Sequence, residues 1–132
     1  MSNLDRDGRS ALHRAAVEAD VDAAIARLAA GDDPDLGDRR GFTPLHFAAQ
    51  EGALDVARVL LDHGAAVDPL DADGNTPLFR AVFNSRGEGG LIELFRARGA
   101  DPLRENAHGQ TPVGLARLIA NYDVARFFSD VA

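Results

Sequence analysis

Two histidines, His13 and His46, stand 33 residues apart in similar surroundings, "GRSALHRAA" and "GFTPLHFAA". Imidazole nitrogens bind zinc and relay protons, so two histidines brought together by the fold are the first candidates for a metal site or a proton relay. His63 lies just before a glycine and is expected near a helix C-terminus, where a donor or a cation suits the exposed carbonyls. The chain has no cysteine, which excludes disulfides and thiolate chemistry.

Three further motifs are weak signals for chemistry. The stretch "RGEGG" lacks the Lys-Ser/Thr ending of a phosphate-binding loop, and a surface insertion explains it better. The acidic runs "DDPD" and "DADG" do not continue to the glutamate that closes a calcium loop, so aspartates that form turns and cap helices are expected there. No serine or threonine lies in a motif typical of an activated nucleophile. The sequence therefore predicts a protein that is not an enzyme and uses no cofactor or metal.

The composition limits the class of partner. The 132 residues carry a formal net charge of −7, and the chain has 14 arginines and no lysine. Such a field repels a phosphate backbone and attracts a basic protein, although surplus acid also serves simple solubility. No apolar stretch is long enough to span a bilayer, and the N-terminus lacks the pattern of a signal peptide. We expect a cytoplasmic protein without membrane or nucleic-acid contact, and the lysine-free composition, rich in alanine, arginine and aspartate, favours a bacterial origin.

A repeat runs through the chain. Four similar segments begin at Gly8, Gly41, Gly74 and Gly109. The steps between these glycines are 33, 33 and 35 residues. A second set of glycines, Gly31, Gly64 and Gly99, has steps of 33 and 35 residues. Both sets carry the same excess of two residues, which is explained by a glycine-rich insertion, "FNSRGEGG", in the third unit.

Each unit is expected to contain two helices and an extended tip. In the second unit Thr43 is a suitable N-cap and Pro44 a suitable first helical residue, so a helix is predicted from there to about residue 51. A second helix is predicted over about 54–63, with Gly64 ending it in a left-handed conformation. The alanine pairs in the first helices allow close packing. Because one such unit cannot bury its apolar face alone, the units must stack.

The stretch "TPLHFAAQEGALDVARVLLDHGAAVD" closely resembles the ankyrin repeat family, and the resemblance covers roughly residues 5–128. It implies an all-α fold, a solenoid of stacked helix-turn-helix units with β-turn or hairpin tips on one side. We expect one domain over residues 1–132 with repeats at approximately 5–37, 38–70, 71–105 and 106–132. The first and last units depart from the pattern as capping units do.

The resemblance also assigns a structural role to the histidines. In the family this histidine bonds backbone and the preceding threonine, so His13 and His46 are expected to stiffen the tips rather than to bind a metal. Phe79 takes the equivalent place in the third unit, which predicts a looser junction with the fourth.

By analogy with the family, a partner would bind on the concave surface built from the tips and the first helices. The principal candidates are Arg39, Arg40, Phe42, Gln50, Glu51, Leu70, Asp73, Asn75, Phe83, Asn84 and His108. Further outward positions, in the first, third and fourth units, are Arg6, Asp7, Arg9, Val17, Glu18, Ala72, Ala107, Gln110, Leu118 and Ile119.

Aromatic and arginine side chains dominate binding energy, so the hot-spot candidates are Arg39, Arg40, Phe42 and Phe83. Each also has an intramolecular alternative. Phe42 could pack against the next tip, Phe83 could lie under the insertion, and the arginines could pair with Asp38 or Asp73.

The leading hypothesis is a monomeric module that binds and inhibits one protein partner. Its finer form is an antitoxin-like immunity protein for a basic toxin, because small single-domain ankyrin proteins resembling this chain often have that role. Two alternatives stay open. One is a scaffold unit that associates with itself through exposed Phe127 and Phe128. The other is a sensor of a metal or small molecule, or a minor hydrolase, that uses His46, His63 and nearby acids.

Overall fold

The computed structural model describes residues 4–131, which contain seven α-helices and a 3-10 helix but no β-strand. The helices are α1 (Ala11–Val17), α2 (Val21–Ala29), α3 (Pro44–Glu51), α4 (Leu54–Asp62), α5 (Pro77–Phe83), α6 (Gly90–Ala97) and α7 (Pro112–Leu118), and the 3-10 helix is Ala125–Phe128. The predicted all-α class is confirmed. The tips are turns joined by hydrogen bonds.

The first helix of every pair begins at a hydroxyl side chain. The N-caps of α1, α3, α5 and α7 are Ser10, Thr43, Thr76 and Thr111, and each side chain accepts the backbone N–H three residues on. In α3, α5 and α7 a proline follows the cap, where its missing N–H costs no intrahelical bond. These local signals explain why α3 begins where the sequence predicts, and Gly52 in a left-handed conformation follows its predicted end.

The helices form two layers. In the first-helix layer, α1 packs on α3, α3 on α5 and α5 on α7; in the second-helix layer, α2 packs on α4 and α4 on α6. The core between the layers contains Leu12, Leu45 and Leu78, which are buried at equivalent positions 33 residues apart. The alanines of the first helices, among them Ala16 and Ala48, are also buried, as their predicted packing role requires.

Two glycines show what the backbone requires at the ends of the units. Gly64 follows α4 with φ +91°, the left-handed conformation predicted for it, and a Cβ there would meet no atom within 4 Å. Gly74, with φ +76°, lies in the third tip, and a Cβ there would lie 2.9 Å from the backbone nitrogen of Ala107 in the fourth. Conformation alone selects glycine at the first position, whereas close approach of two tips also selects it at the second.

The C-terminal part of the described chain packs against the insertion of the third unit. Phe128 is 1% exposed, and Phe127, partly buried, covers Gly89 so closely that a Cβ there would lie 2.2 Å from its ring. Arg126 Nη2 donates to the carbonyl oxygen of Gly87 at 3.4 Å. The expected exposed apolar surface of Phe127 and Phe128 is therefore wrong, because the glycines leave room for the aromatic rings to dock.

No helix within residues 4–131 combines the length and the apolar character needed to cross a membrane.

Candidate functional site

Each tip is built around one side chain with an acceptor oxygen. Asp5, Asp38, Asp71 and Asn106 occupy equivalent positions, and each Oδ1 accepts two backbone N–H groups of its own tip. This confirms the turn-forming role expected for the aspartate of "DADG". Neighbouring tips are joined by backbone bonds, such as the one from Ala72 N to Arg40 O at 2.7 Å. The tips therefore form a continuous edge beside the first-helix layer.

His13 and His46 are buried, and both nitrogens of each ring have partners. Nδ1 of His46 accepts the backbone N–H of Thr43 at 3.1 Å, and Nε2 donates to the carbonyl oxygen of Asn75 in the next tip at 2.8 Å. His13 makes the same two contacts with Ser10 and Phe42. Burial lowers the pKa of both histidines, because removal from water disfavours the charged ring.

The histidines thus have the structural role that the resemblance implies. His63 is exposed, and its Nδ1 donates to the carbonyl oxygen of Val59 at 2.8 Å, at the end of α4. Within residues 4–131 no three histidine, aspartate or glutamate side chains are grouped to hold a metal ion.

Phe79 fills the histidine position of the third unit and is buried without a polar link to the fourth tip. An amide–amide bond joins these tips in its place, beside the backbone bond that neighbouring tips share. Asn106 Nδ2 donates to Asn75 Oδ1 at 2.8 Å, and Ala107 N donates to Asp73 O at 2.9 Å. Asn75 is therefore 7% exposed, and the expectation that it faces outward is wrong. Its side chain is occupied between two tips.

Beside the tips lies a cleft of about 520 Å³, here called the arginine cleft, that spans the first three units. Its lining residues are Arg9, Arg40, Phe42, Phe47, Gln50, Ala72, Asp73 and Arg80. Six of the predicted binding residues thus meet here: the principal candidates Arg40, Phe42, Gln50 and Asp73, and the additional positions Arg9 and Ala72.

Two phenylalanines form the apolar part of the arginine cleft. The rings of Phe42 and Phe47 lie edge to face with their centroids 5.4 Å apart. The guanidinium of Arg80 lies 5.0 Å from the Phe42 centroid, and that of Arg9 lies 4.8 Å from the Phe47 centroid. Phe42 is half-buried in this cluster and packs within the protein, although against side chains of α3 and α5 where the alternative named the next tip.

Buried carboxylates hold two of these arginines. Asp38 Oδ2 pairs with Arg9 Nε at 3.2 Å, and Asp71 Oδ2 accepts from Arg80 Nη2 at 3.0 Å. The two aspartate side chains are 1% and 0% exposed. Asp38 thus binds an arginine of the preceding unit. The alternative in which it pairs with Arg39 or Arg40 is wrong.

The side chains of Arg39 and Arg40 are exposed and make no hydrogen bond or ion pair with any residue that the structure describes. The remaining tip candidates, Asp73 and His108, are exposed too, as is Leu70.

An exposed stripe crosses the first-helix layer near the helix C-termini. Its members are equivalent residues separated by 33, 33 and 35 positions: Val17, Gln50, Phe83 and Leu118. Phe83 is 66% exposed and Leu118 is 72% exposed. The alternative in which Phe83 lies under the insertion is therefore wrong. We call this row the first-helix stripe.

A second cleft, of about 480 Å³, lies between the end of α3 and the insertion. It brings together three predicted residues, Gln50, Glu51 and Asn84. Asn84 is partly buried, because its Nδ2 donates to the carbonyl oxygen of Arg80 at 2.9 Å.

Two lining residues of the arginine cleft were not among the predicted ones, Phe47 and Arg80. They are equivalent residues, 33 positions apart, in α3 and α5. The repeat alignment could have indicated them, because each is a large side chain directly followed by a buried alanine, Ala48 or Ala81, in its first helix.

Comparison with known proteins agrees with this architecture. The family model for ankyrin repeats, in three copies, matches residues 12–106, which is more than half of the chain. No curated protein sequence matches the chain significantly. Ankyrin repeats are generally protein–protein interaction modules and typically not enzymes. With its stacked helix pairs, histidine-linked tips and matching sequence, the chain belongs to the ankyrin repeat family.

Proposed function

We propose that the chain binds a protein partner through the face formed by the first-helix layer and the tips. The observation that carries this proposal is the first-helix stripe, where Phe83 and Leu118 are 66% and 72% exposed. Large apolar side chains that stay in water on a folded protein mark interaction sites when they align on one surface. Fully burying a leucine or phenylalanine gains about 1.5–3 kcal/mol, so covering both would supply roughly 2–4 kcal/mol of binding free energy.

Exposed arginines of the second tip strengthen the proposal. Arg39 and Arg40 project from the second tip without an ionic partner in the described residues. Arginine is enriched among interface residues that dominate affinity, because it combines five donors with a large flat surface. A standard interface needs about 800 Å² from each partner, and a face of four first helices with their tips can provide it.

We further propose that binding inhibits the partner, as an antitoxin-like immunity protein does, and that the chain acts as a monomer in the cytoplasm. The net charge of −7 supports a basic, toxin-like partner. Exposed acids of the second-helix layer, such as Asp22, Asp55 and Glu93, contribute to a field that would speed the encounter with a basic protein.

The test is capture of the partner from the source cell at low salt. The wild-type chain should recover a protein, and the double variant Phe83→Ser/Leu118→Ser should not. A matched control is Ile25→Ser, since Ile25 is an exposed apolar residue on α2, outside the proposed face. Thermal melting of all three proteins should be similar because the replaced side chains are exposed.

Two results would count against the proposal. Recovery of no protein by the wild-type chain would remove the binding function, and equal recovery by the double variant would place the binding surface elsewhere. Inhibition is tested separately, by measuring the activity of the captured protein with and without one equivalent of the chain.

A further inference from the structure

We propose that the arginine cleft receives an acidic side chain, an aspartate or glutamate, of the bound protein partner. This inference rests on the proposed function and adds the chemistry of one contact to it. The cleft contains three arginines, Arg9, Arg40 and Arg80, and one acid, Asp73, among its lining residues. Guanidinium groups thus outnumber carboxylates among the groups that the cleft exposes, in a chain whose net charge is −7.

The arginines offer more donors than the protein uses. A guanidinium carries five N–H donors. Arg9 uses Nε for Asp38, Arg80 uses Nε and Nη2 for Asp71, and Arg40 uses none within residues 4–131. Both terminal nitrogens of Arg9 and Nη1 of Arg80 therefore remain for a ligand. A carboxylate accepts two parallel bonds from one guanidinium, which makes it a suitable acceptor for these groups.

The cleft is also organised before a ligand arrives. Asp38 and Asp71, which are almost completely buried, fix the guanidinium groups of Arg9 and Arg80 from behind. The rings of Phe47 and Phe42 lie against the same two groups at 4.8 and 5.0 Å. Arginines held in this way lose little side-chain entropy on binding. Because the buried acids offset part of the charge, recognition depends on directed hydrogen bonds more than on surplus positive charge.

A protein carboxylate fits the surroundings better than a nucleic acid does. The chain's negative field opposes a phosphate backbone, whereas a single acidic side chain carries little opposing charge into the cleft. Gln50 lines the arginine cleft and belongs to the first-helix stripe. A partner segment with an apolar residue on Phe83 can therefore present an acid to Arg40.

This local preference is compatible with a partner that is basic overall. The net field acts before contact over a distance of about 8 Å at physiological salt, whereas hydrogen bonds in the cleft act only at contact. The net field governs the rate of encounter, and the hydrogen bonds select which side chain of the partner enters the cleft.

The experiment uses the full chain and three probes: a soluble peptide of glutamate, leucine and glycine, the same peptide with glutamine for glutamate, and inorganic phosphate. Side-chain Nε–H signals of the arginines are followed by NMR during each titration. We expect saturable shifts for Arg9 and Arg80 with the glutamate peptide only. Arg40→Gln should weaken its binding about tenfold, as loss of a charge-assisted pair does.

The matched control is Arg58→Gln, which removes the same charge from the exposed surface of α4 and should leave peptide affinity unchanged. Arg40 is chosen because its side chain supports no contact of the fold that the structure describes. Equal binding of the glutamine peptide, or no shift at all, would overturn the proposal. Tighter binding of phosphate than of the glutamate peptide would also overturn it, because the cleft would then be a site for a free anion.

Capture of the partner separates this inference from the proposed function. If Arg40→Gln captures the partner as well as the wild type does while Phe83→Ser/Leu118→Ser does not, the cleft inference fails and the binding function stands. If no partner is captured by any form, the binding function fails, and the peptide titration alone decides the chemistry of the cleft.

Discussion

Replacing Gly74 by alanine should destabilise the protein more than replacing Gly64 by alanine, and the difference measures how closely two tips approach. Both glycines have positive φ, +76° and +91°. A side chain in the left-handed region costs about 1 kcal/mol. This conformational cost is common to the two variants, so Gly64→Ala serves as the control for Gly74→Ala.

The two positions differ in what the new methyl group would meet. At Gly64 nothing lies within 4 Å, whereas at Gly74 the Cβ would lie 2.9 Å from Ala107 N and 3.3 Å from the carbonyl carbon of Asn106. These are backbone atoms, and Ala107 N donates to Asp73 O, so the tips must separate or strain the bond between them. Such overpacking costs about 1–3 kcal/mol. We expect losses of about 1 kcal/mol for Gly64→Ala and about 2–4 kcal/mol for Gly74→Ala.

Thermal and urea unfolding of the two variants provide the assay. At roughly 4 °C per kcal/mol for a chain of this size, the melting temperatures should differ by about 4–12 °C. Hydrogen exchange at the amide of Ala107 should accelerate in Gly74→Ala alone. Equal destabilisation of the two variants, with that amide still protected, would refute the close approach of the third and fourth tips.

Two further predictions concern titration and burial. Burial depresses the pKa of His13 and His46 below 6.5 in the folded state, so the stability that these histidines contribute is complete above pH 6.5 and is lost as the pH falls toward their folded pKa values. The urea midpoint should therefore be lower at pH 5.5 than at pH 7.5, with most of the fall below pH 6.5; a midpoint that is higher at pH 5.5 would contradict the assignment. Phe128→Ala, at a side chain 1% exposed, should cost about 3–5 kcal/mol, whereas Phe83→Ala, at one 66% exposed, should cost less than about 0.5 kcal/mol. Similar melting temperatures for these two variants would show that the burial assigned to Phe128 is wrong.

Local signals allowed most of the helical framework to be predicted from the sequence. Thr43 and Pro44 set the start of α3, and Gly64 ends the second helix by its backbone conformation. These signals act within a few residues and recur in several units, so the helix bounds predicted in one unit support those predicted in the others. The second helix ends at Asp62 and not at His63, a difference of one residue where helix ends commonly vary.

Contacts between units could be predicted less well, because they depend on how one unit is rotated and shifted on the next. Pairing of Arg39 or Arg40 with Asp38, their neighbour in the chain, was one alternative from the sequence, but the stacking brings Arg9 to Asp38 instead. Asn75 was expected to face outward by analogy with the family, and nothing in its own unit reveals that Asn106 of the following tip binds it. The arginine cleft arises from such contacts, so its full lining could not be read from a single unit.

The docking of Phe127 on Gly89 makes the third and fourth units specific to each other. In a repeat protein, units can in principle be duplicated, deleted or exchanged, because each contacts only its neighbours. Here the aromatic ring needs a bare backbone beneath it, and that glycine lies in the insertion of the third unit alone. In a recombinant protein in which a copy of the second unit precedes the fourth, the Phe127 ring would have no glycine to pack on. Genetic shuffling of this array would therefore have to transfer its last two units as a pair.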